Sequence, residues 1–275
     1  MEGVPLVGLL KKDISLWEYK FPAVCKNYNV TLIGVNGFPE IVAFTLKFEI
    51  CRIFKIMHAV KLHETIVDFH NTPVRVKQLQ DAVKNNLSGR LGSVKEEVKL
   101  ALDYSRYSSE ITDAMEAGDV PLRVTHNDTK LNNVLFDDKT DKGVCVIDLD
   151  TVMPGSLLYD FGDALRFGAS SCAEDETDLE KVYFDLDKYE AFAKGFLGEV
   201  GANLTKKEAE LLPLSALLMT YECGIRFLAD YINGDTYFKI HREHHNLDRA
   251  RNQFALVRDI EKKLPEMAGI VQKYI

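Results

Sequence analysis

The feature that most constrains how this chain can fold is a pair of segments that carry Asp and Asn residues and are joined by a sequence pattern typical of a β-hairpin. Residues 124–135 read VTHNDTKLNNVL, and residues 144–150 read VCVIDLD. Between them the polar stretch DDKTDKG separates two short apolar runs, Asn133–Phe136 and Val144–Ile147, a pattern typical of a β-hairpin. The second run delivers Asp148 at the end of a strand. We therefore expect both polar segments to meet within one supersecondary unit.

The first segment contains the pattern HxDxxxxN, formed by His126, Asp128 and Asn133, with the spacing of a kinase catalytic loop. An aspartate on such a loop can accept the proton of an attacking hydroxyl, and the asparagine can reach a magnesium ion on nucleotide phosphates. Magnesium needs only one or two protein oxygen ligands. We therefore predict Asp128 as the base and Asn133 and Asp148 as magnesium ligands, with Asp150 as a candidate outer or second-metal ligand.

Each element alone has a simpler explanation. A single HxD is more often a turn or a helix cap, and an aspartate after a strand is usually a turn residue. The conjunction of loop, hairpin and strand-end carboxylate, in this order, favours phosphotransfer.

Composition limits the classes of partner. With 275 residues, 46% of them hydrophobic, the chain can form one large domain or two modest lobes. A net charge of −8 argues against binding to nucleic acid. A ligand rich in phosphate would need metal ions or a local basic pocket.

The cysteines and the apolar runs predict a cytoplasmic protein. The five cysteines are widely spaced without a CxxC pair, which indicates free thiols rather than a zinc site. No apolar run reaches the ~18 residues of a membrane span. The start of the sequence does not resemble a signal peptide. We therefore expect no membrane partner.

The periodicity predicts a β-rich start followed by a helical region. Short β-branched and aromatic runs occur at 28–35 and 41–50, and helical patterns at 73–84, 92–104 and 106–117. Further on, Asp187 and Asn246 are predicted helix caps, and Thr205 with Glu208 forms a capping box whose helix Pro213 should interrupt. The expected architecture is a helical lobe with an embedded hairpin after an incomplete β-rich lobe.

Several other polar residues have structural interpretations. Glu222 and Arg226 lie four apart on a helix, so a surface ion pair is the default, and Tyr237 is compatible with a core aromatic. A solvated polar face is expected for three histidines, His241, His244 and His245. The run CAEDETDLEK is expected to be an exposed acidic loop or helix start.

Four motifs resemble one family. HNDTKLNNVLFD, IDLDTVMPG, YDFGDALRFGA and HREHHNLDRARNQ are similar to the N-acetylhexosamine 1-kinases, bacterial members of the aminoglycoside phosphotransferase group. The resemblance runs from about Leu62 to the C-terminus. It implies an α+β, protein-kinase-like fold, with residues 61–275 as a mostly helical catalytic and sugar-binding lobe. Residues 1–60 would be a truncated remnant of the nucleotide-binding lobe and its hinge.

The resemblance also implies an activity: ATP- and Mg²⁺-dependent phosphorylation of N-acetylglucosamine or N-acetylgalactosamine at the C1 hydroxyl. Asp128 matches the catalytic base, and Asn133 and Asp148 match the magnesium ligands. Thr151, Arg226 and Tyr237 fall at positions similar to sugar-binding residues. The implied partners are ATP and the sugar, with the protein a monomer or a weak dimer.

Two alternatives stay open. Residues 1–60 depart from the family pattern, since they contain no G-x-G-x-x-G and no assignable phosphate-binding lysine, so the chain could be an inactive sugar-binding remnant. Separately, it could be a kinase of the same fold that acts on another small alcohol, such as choline or an aminoglycoside. The long agreement of the motifs with the hexosamine kinases favours a sugar over other alcohols.

Overall fold

The computed structural model describes residues 30–31, 62–138 and 143–275. Apart from Val30–Thr31, the predicted N-terminal lobe at 1–60 lies outside the described residues, including the strand predicted at 41–50. The helices are α1 (Thr72–Asn85), α2 (Lys95–Tyr104), α3 (Glu110–Glu116), α4 (Leu157–Gly168), α5 (Leu186–Val200), α6 (Lys206–Asn233) and α7 (His245–Tyr274). The strands are β1 (Val30–Thr31), β2 (Arg123–Thr125), β3 (Val134–Asp137), β4 (Gly143–Val146) and β5 (Met153–Gly155).

The core surrounds α6, which packs against α7, α4 and α1. Its apolar side chains recur at helical spacing, and Leu212, Leu217, Tyr221, Ile225 and Leu228 are all fully buried. By length and composition α6 could cross a membrane, yet 83% of its most apolar window is buried inside the protein. Its apolar character is therefore accounted for by the core.

A smaller aromatic cluster fastens α4 to α5. The ring of Phe161 lies 5.5 Å from Phe192 and 5.0 Å from Phe196, and it meets Tyr189 edge-on at 6.1 Å. Gly162 lets α4 approach α6, because a Cβ there would stand 2.4 Å from the backbone oxygen of Ser215. These contacts hold α4 firmly beneath the polar loop described below.

The predicted hairpin is confirmed. β3 and β4 pair antiparallel, with Val134 opposite Val146 and a register shift between Leu135 and Phe136. β1 adds to the other side of β3. A second pair, β2 and β5, was not predicted, and it requires Gly155 because a Cβ there would lie 2.4 Å from the Thr125 hydroxyl oxygen. This second pair joins the residues just before His126 to the residues just after Val152.

The second and third helices are shorter than their periodicity suggests. The first is confirmed at α1, whereas 3₁₀ turns at Arg90–Ser93 and Ser105–Tyr107 take up the first residues of the second and third predicted helices. Apolar residues of a 3₁₀ turn next to an α-helix can continue the spacing of the helix. The spacing therefore does not show where the α-helix itself begins.

Two predicted caps are wrong. Asp185, not Asp187, caps α5, accepting the N–H groups of Asp187 and Lys188, because a bridge between Ser170 and Phe184 keeps the chain extended up to that point. Asn246 does not cap α7, which begins at His245. Its amide instead donates at 2.9 Å to Asp230 and to Asp235. Tertiary bonds outcompeted the local cap.

The capping box is confirmed, but the predicted interruption at Pro213 is wrong. The Thr205 hydroxyl accepts the Glu208 N–H at 3.1 Å, and the Glu208 carboxylate accepts the Thr205 N–H at 2.8 Å. α6 continues through Pro213 to Asn233. A proline inside a helix costs about 3 kcal/mol or more. Burial of 20 of the 28 residues of α6 offsets this cost.

Candidate active site

The polar loop 126–133 is docked by a carboxylate on α4. Asp160, which is buried, accepts the backbone N–H of His126 at 2.9 Å and that of Asn127 at 2.7 Å. The Thr129 hydroxyl donates to the carbonyl oxygen of Asp160 at 2.7 Å. Burial raises the pKa of Asp160, and the two N–H donors act against that rise. The loop therefore takes its position from a helix of the core.

His126 ties the loop to the end of β4. Its Nδ1 accepts the Asp128 N–H at 3.3 Å, so the proton is on Nε2, which donates to the Ile147 carbonyl at 3.0 Å. The Ile147 N–H in turn donates to the carbonyl of Asn133. These bonds bring the loop that carries Asp128 beside the residue that follows Ile147, which is Asp148.

The predicted base and one predicted metal ligand are in direct contact. The Asn133 amide nitrogen donates to the Asp128 carboxylate at 2.9 Å and to its backbone carbonyl at 2.8 Å. The ammonium of Lys130 lies 2.9 Å from the same carboxylate oxygen. Burial would lower the pKa of Lys130, but the Asp128 carboxylate outweighs it, so the pKa is raised and Lys130 stays charged. The sequence analysis did not identify Lys130 as a site residue, although it lies only two residues after Asp128 in the loop.

Asp148 completes the acidic group. It adopts a left-handed backbone (φ 62°) two residues after the end of β4. Partial burial raises the pKa of its carboxyl, the neighbouring Asp150 and Asp128 raise it further, and Lys130 opposes them. Crowded carboxylates of this kind are relieved by a cation.

This donor set suits magnesium, which takes hard oxygen ligands. Asn133 directs its amide nitrogen toward Asp128, so its amide oxygen is the atom that a metal ion would contact. Asn133 and Asp148 would hold the ion, with Asp150 beside them. The structure places Asn133 in contact with Asp128 and Asp148 near Asp128, Asp150 and Lys130, while the metal-binding role of Asn133 and Asp148 stays a prediction.

A cavity of about 530 Å³ opens at Asp128. Its lining includes Asp128 and Lys130 from the loop, Arg226 from α6 and Tyr237 from the segment after α6. The predicted base and two of the three predicted sugar-binding residues therefore share one cavity, of a size common for small-molecule sites.

Thr151, the third predicted sugar-binding residue, is buried beneath the loop. Its hydroxyl donates to the His126 carbonyl at 2.6 Å, and its own carbonyl accepts the side-chain amide of Asn127 at 3.0 Å. In this arrangement Thr151 supports the loop 126–133, and its contact with a substrate stays a prediction.

The ion pair expected between Glu222 and Arg226 is not formed. Glu222 instead binds His70 and Thr72, at 2.9 Å and 2.6 Å. Arg226 is left facing the cavity, with its guanidinium carbon 5.7 Å from the ring centre of Phe69.

The core interpretation of Tyr237 is wrong, because 72% of its surface is exposed. Its segment is held by Asp230, whose carboxylate accepts the backbone N–H groups of Thr236, Tyr237 and Phe238 at 2.8–2.9 Å. Tyr237 is thus displayed at the cavity from a loop that one buried carboxylate organises.

The remaining polar predictions are met in part. His241 and His244 are exposed as expected, but His245 is buried and contacts Asp175 at 3.1 Å. The acidic run is not simply an exposed loop, because Glu174 binds Arg166 at 2.6 Å. Across the described ranges, no group of three or more His, Cys, Asp or Glu side chains is arranged to hold a metal ion.

Comparison with known proteins identifies the family. Residues 55–192, half of the chain, match the model of the phosphotransferase enzyme family. The chain belongs to this family. The matched segment contains the loop with Asp128 and Asn133, the strand-end Asp148 and the docking residue Asp160, but it ends before Arg226 and Tyr237. The predicted α+β, protein-kinase-like fold is confirmed for this phosphotransferase.

Several solved structures are similar at low sequence identity. A choline kinase from Cryptosporidium parvum Iowa II is 14% identical, with a TM-score of 0.47 over 94% of this chain and 81% of that one. A Plasmodium vivax ethanolamine kinase is 12% identical, with a TM-score of 0.47 over 92% and 74%. The ADP-bound aminoglycoside phosphotransferase APH(2'')-Ib is 12% identical, with a TM-score of 0.42 over 88% and 82%.

Proposed function

We propose that this phosphotransferase transfers the γ-phosphoryl group of ATP, with Mg²⁺, to the C1 hydroxyl of N-acetylglucosamine or N-acetylgalactosamine. The observation that carries the proposal is the shared cavity of Asp128, Arg226 and Tyr237. A base and two side chains suited to sugar hydroxyls and a sugar ring thus surround the same space.

The residues of the loop divide the work. Asp128 accepts the proton of the attacking hydroxyl, and its orientation is set by the Asn133 amide and the Lys130 ammonium. Lys130 also places a positive charge beside the transferred group, whose bonding is loose in the transition state. The magnesium ion, when bound by Asn133 and Asp148, supplies neutralisation of phosphate charge. Positioning and electrostatics therefore account for the catalysis.

The charges of the cavity favour a neutral acceptor over a cation. Among its lining residues, leaving the two histidines aside, the bases outnumber the acids by one: Lys130, Arg166, Arg226, Lys239 and Arg249 against Asp128, Asp163, Glu174 and Glu222. A choline or a polyamine acceptor would meet this excess unfavourably. The fork of donors on Arg226 can bind sugar hydroxyls, and Tyr237 offers a ring face and a hydroxyl.

A second candidate is sugar binding without turnover. It is favoured by one sequence observation, the absence of a G-x-G-x-x-G and of an assignable phosphate-binding lysine in residues 1–60.

The test is incubation of the purified chain with ATP, MgCl₂ and each hexosamine, with ADP and sugar 1-phosphate measured by ³¹P NMR. We expect product, and a loss of ~10²-fold or more in Asp128→Asn, because a positioned base contributes on that scale. The matched control is Asp187→Asn, an exposed aspartate in the first turn of α5, which should retain full turnover.

Turnover with choline or an aminoglycoside alone would refute the proposed acceptor. Calorimetric binding of the sugar without ADP production would support the second candidate instead.

A further inference from the structure

A buried ion pair lies behind the catalytic loop and is not used by the chemistry above. His70, just before α1, and Glu222 on α6 are 8% and 1% exposed, with the imidazole Nδ1 2.9 Å from the carboxylate. The second carboxylate oxygen accepts the Thr72 hydroxyl at 2.6 Å. Every polar atom of the Glu222 side chain is thus directed at the segment that carries His70.

The partners of His70 require both ring nitrogens to carry protons. Nε2 lies 2.7 Å from the carbonyl oxygen of Asn127, and a carbonyl can only accept. Nδ1 faces the Glu222 carboxylate, which also accepts. Burial alone would lower the pKa of His70, but the hydrogen bond and charge of Glu222 outweigh it and raise the pKa. His70 is therefore an imidazolium, and neither nitrogen is left for a substrate.

The carbonyl that His70 holds belongs to the peptide that leads into Asp128. Peptide units are planar, so fixing the carbonyl of Asn127 also fixes the N–H of Asp128. That N–H donates to His126 Nδ1 on the other edge of the same peptide. Asn127 has a φ of 66°, a left-handed conformation that a non-glycine residue keeps only where its surroundings enforce it.

We infer that His70 is a positioning residue for phosphoryl transfer: its ion-paired imidazolium clamps the Asn127–Asp128 peptide and so aims the Asp128 carboxylate into the cavity. Glu222 keeps the imidazole charged and oriented. This inference rests on the proposed function, in that Asp128 must act as the base for the aim to matter.

The other charged groups near His70 agree with this role. Asp163 on α4 favours its charged form, and Tyr159, also on α4, packs its ring 5.2 Å from the imidazole. The charge of His70 also acts to lower the pKa of Asp160, the second residue that holds the loop. Arg226, on α6, favours the ionised form of Glu222. The charge of His70 thus favours the ionised forms of both Asp160 and Glu222.

The decisive variant is His70→Gln, which is neutral and cannot supply both hydrogen bonds in the ring geometry. The matched control is Tyr221→Phe, which removes a buried hydrogen bond from the neighbouring position of α6, to the Ala101 carbonyl at 2.8 Å. Both should lose comparable thermal stability. We expect kcat to fall ~10-fold or more only in His70→Gln, with KM for ATP and sugar within about twofold, because the base is misdirected but the binding residues are intact.

A second measurement needs no turnover. ¹⁵N NMR of histidine-labelled protein should show both nitrogens of His70 protonated at neutral pH. In uniformly ¹⁵N-labelled protein, the amide signal of Asp128 should move in His70→Gln but not in Tyr221→Phe. A neutral His70, an unmoved Asp128 amide, or a loss of kcat no larger than in Tyr221→Phe would each overturn the inference. If the wild-type protein phosphorylates no hexosamine, the proposed function fails, and the two NMR signals still decide whether His70 holds the loop.

Discussion

The two sides of the cavity are built differently. The catalytic loop is held by buried residues from three directions, with Asp160 below it, His126 within it and His70 behind it. On the acceptor side, the backbone N–H groups of Thr236, Tyr237 and Phe238 share one acceptor, the carboxylate of Asp230, and Tyr237 is exposed. Several independent buried contacts suit the proposed base, whose carboxylate must be positioned within fractions of an ångström. Fewer contacts suit a surface that selects a substrate.

The largest effect should come from Asp160→Ala, which removes one of the buried residues that hold the loop 126–133. Two buried N–H groups lose their acceptor, at about 1–3 kcal/mol each. We expect a loss of about 3 kcal/mol in unfolding free energy, measured by urea denaturation, and a fall in kcat of ~10²-fold, the scale of a misplaced catalytic group. A stable variant with normal kcat would show that the other anchors suffice.

Asp230→Ala removes the carboxylate that residues 236–238 share on the acceptor side of the cavity. The N–H groups of Thr236, Tyr237 and Phe238 would lose their common acceptor, but this segment lies at the surface and water can replace part of the bonding. We expect KM for the acceptor to rise ~10-fold with kcat changed less than about threefold, because the reacting groups keep their geometry. A fall in kcat with an unchanged KM would mean that the two sides are not separable.

Tyr237→Ala should have a smaller effect. Its side chain is 72% exposed, so unfolding free energy should stay within about 0.5 kcal/mol. Loss of the ring should weaken sugar binding by about fivefold, measured by calorimetry, since one aromatic contact is worth about 1 kcal/mol. Tyr237→Phe separates the ring from the hydroxyl. Unchanged affinity in both variants would remove Tyr237 from the site.

The smallest effect is a pH dependence of stability from the His70–Glu222 pair. The pKa of His70 is raised above 6.5, so its contribution is complete below that pH and is lost as pH rises through the folded pKa. The pKa of Glu222 is lowered below 4.5, so its contribution is lost as pH falls through the folded value. The difference in unfolding free energy between the wild type and His70→Gln should therefore shrink in alkali by about 1 kcal/mol, a typical hydrogen bond. A difference that grows with pH would contradict the charged state of His70.

Local sequence signals predicted the hairpin and the proximity of Asp128 to Asn133, whereas the contacts that hold the loop in place carried no local signal. The hairpin and the HxDxxxxN loop were found because their spacing is local and their chemistry depends on residue type. Lys130 was missed although it lies in the same loop. His70 and Asp160 were missed because each acts through a backbone group that is distant in sequence and carries no residue signature.

The errors at helix boundaries have the same origin. Asn246 has the composition of a cap, yet its amide binds Asp230 and Asp235. Pro213 should end a helix, yet the burial of α6 outweighs its cost. Glu222 and Arg226 have ion-pair spacing, yet His70 and Thr72 take the carboxylate. In each case a contact between distant segments was stronger than the local preference.

The sequence by itself indicated the phosphotransferase family, the hairpin and the order of the residues suited to catalysis, since these follow from chemistry within short stretches of chain. Only the tertiary structure decided that Asp128, Arg226 and Tyr237 face one cavity, that Thr151 lies beneath the loop and that His70 is held as a cation. The physical reason is that orientation and protonation depend on burial and on partners tens of residues away, where side-chain packing rather than local spacing sets the geometry.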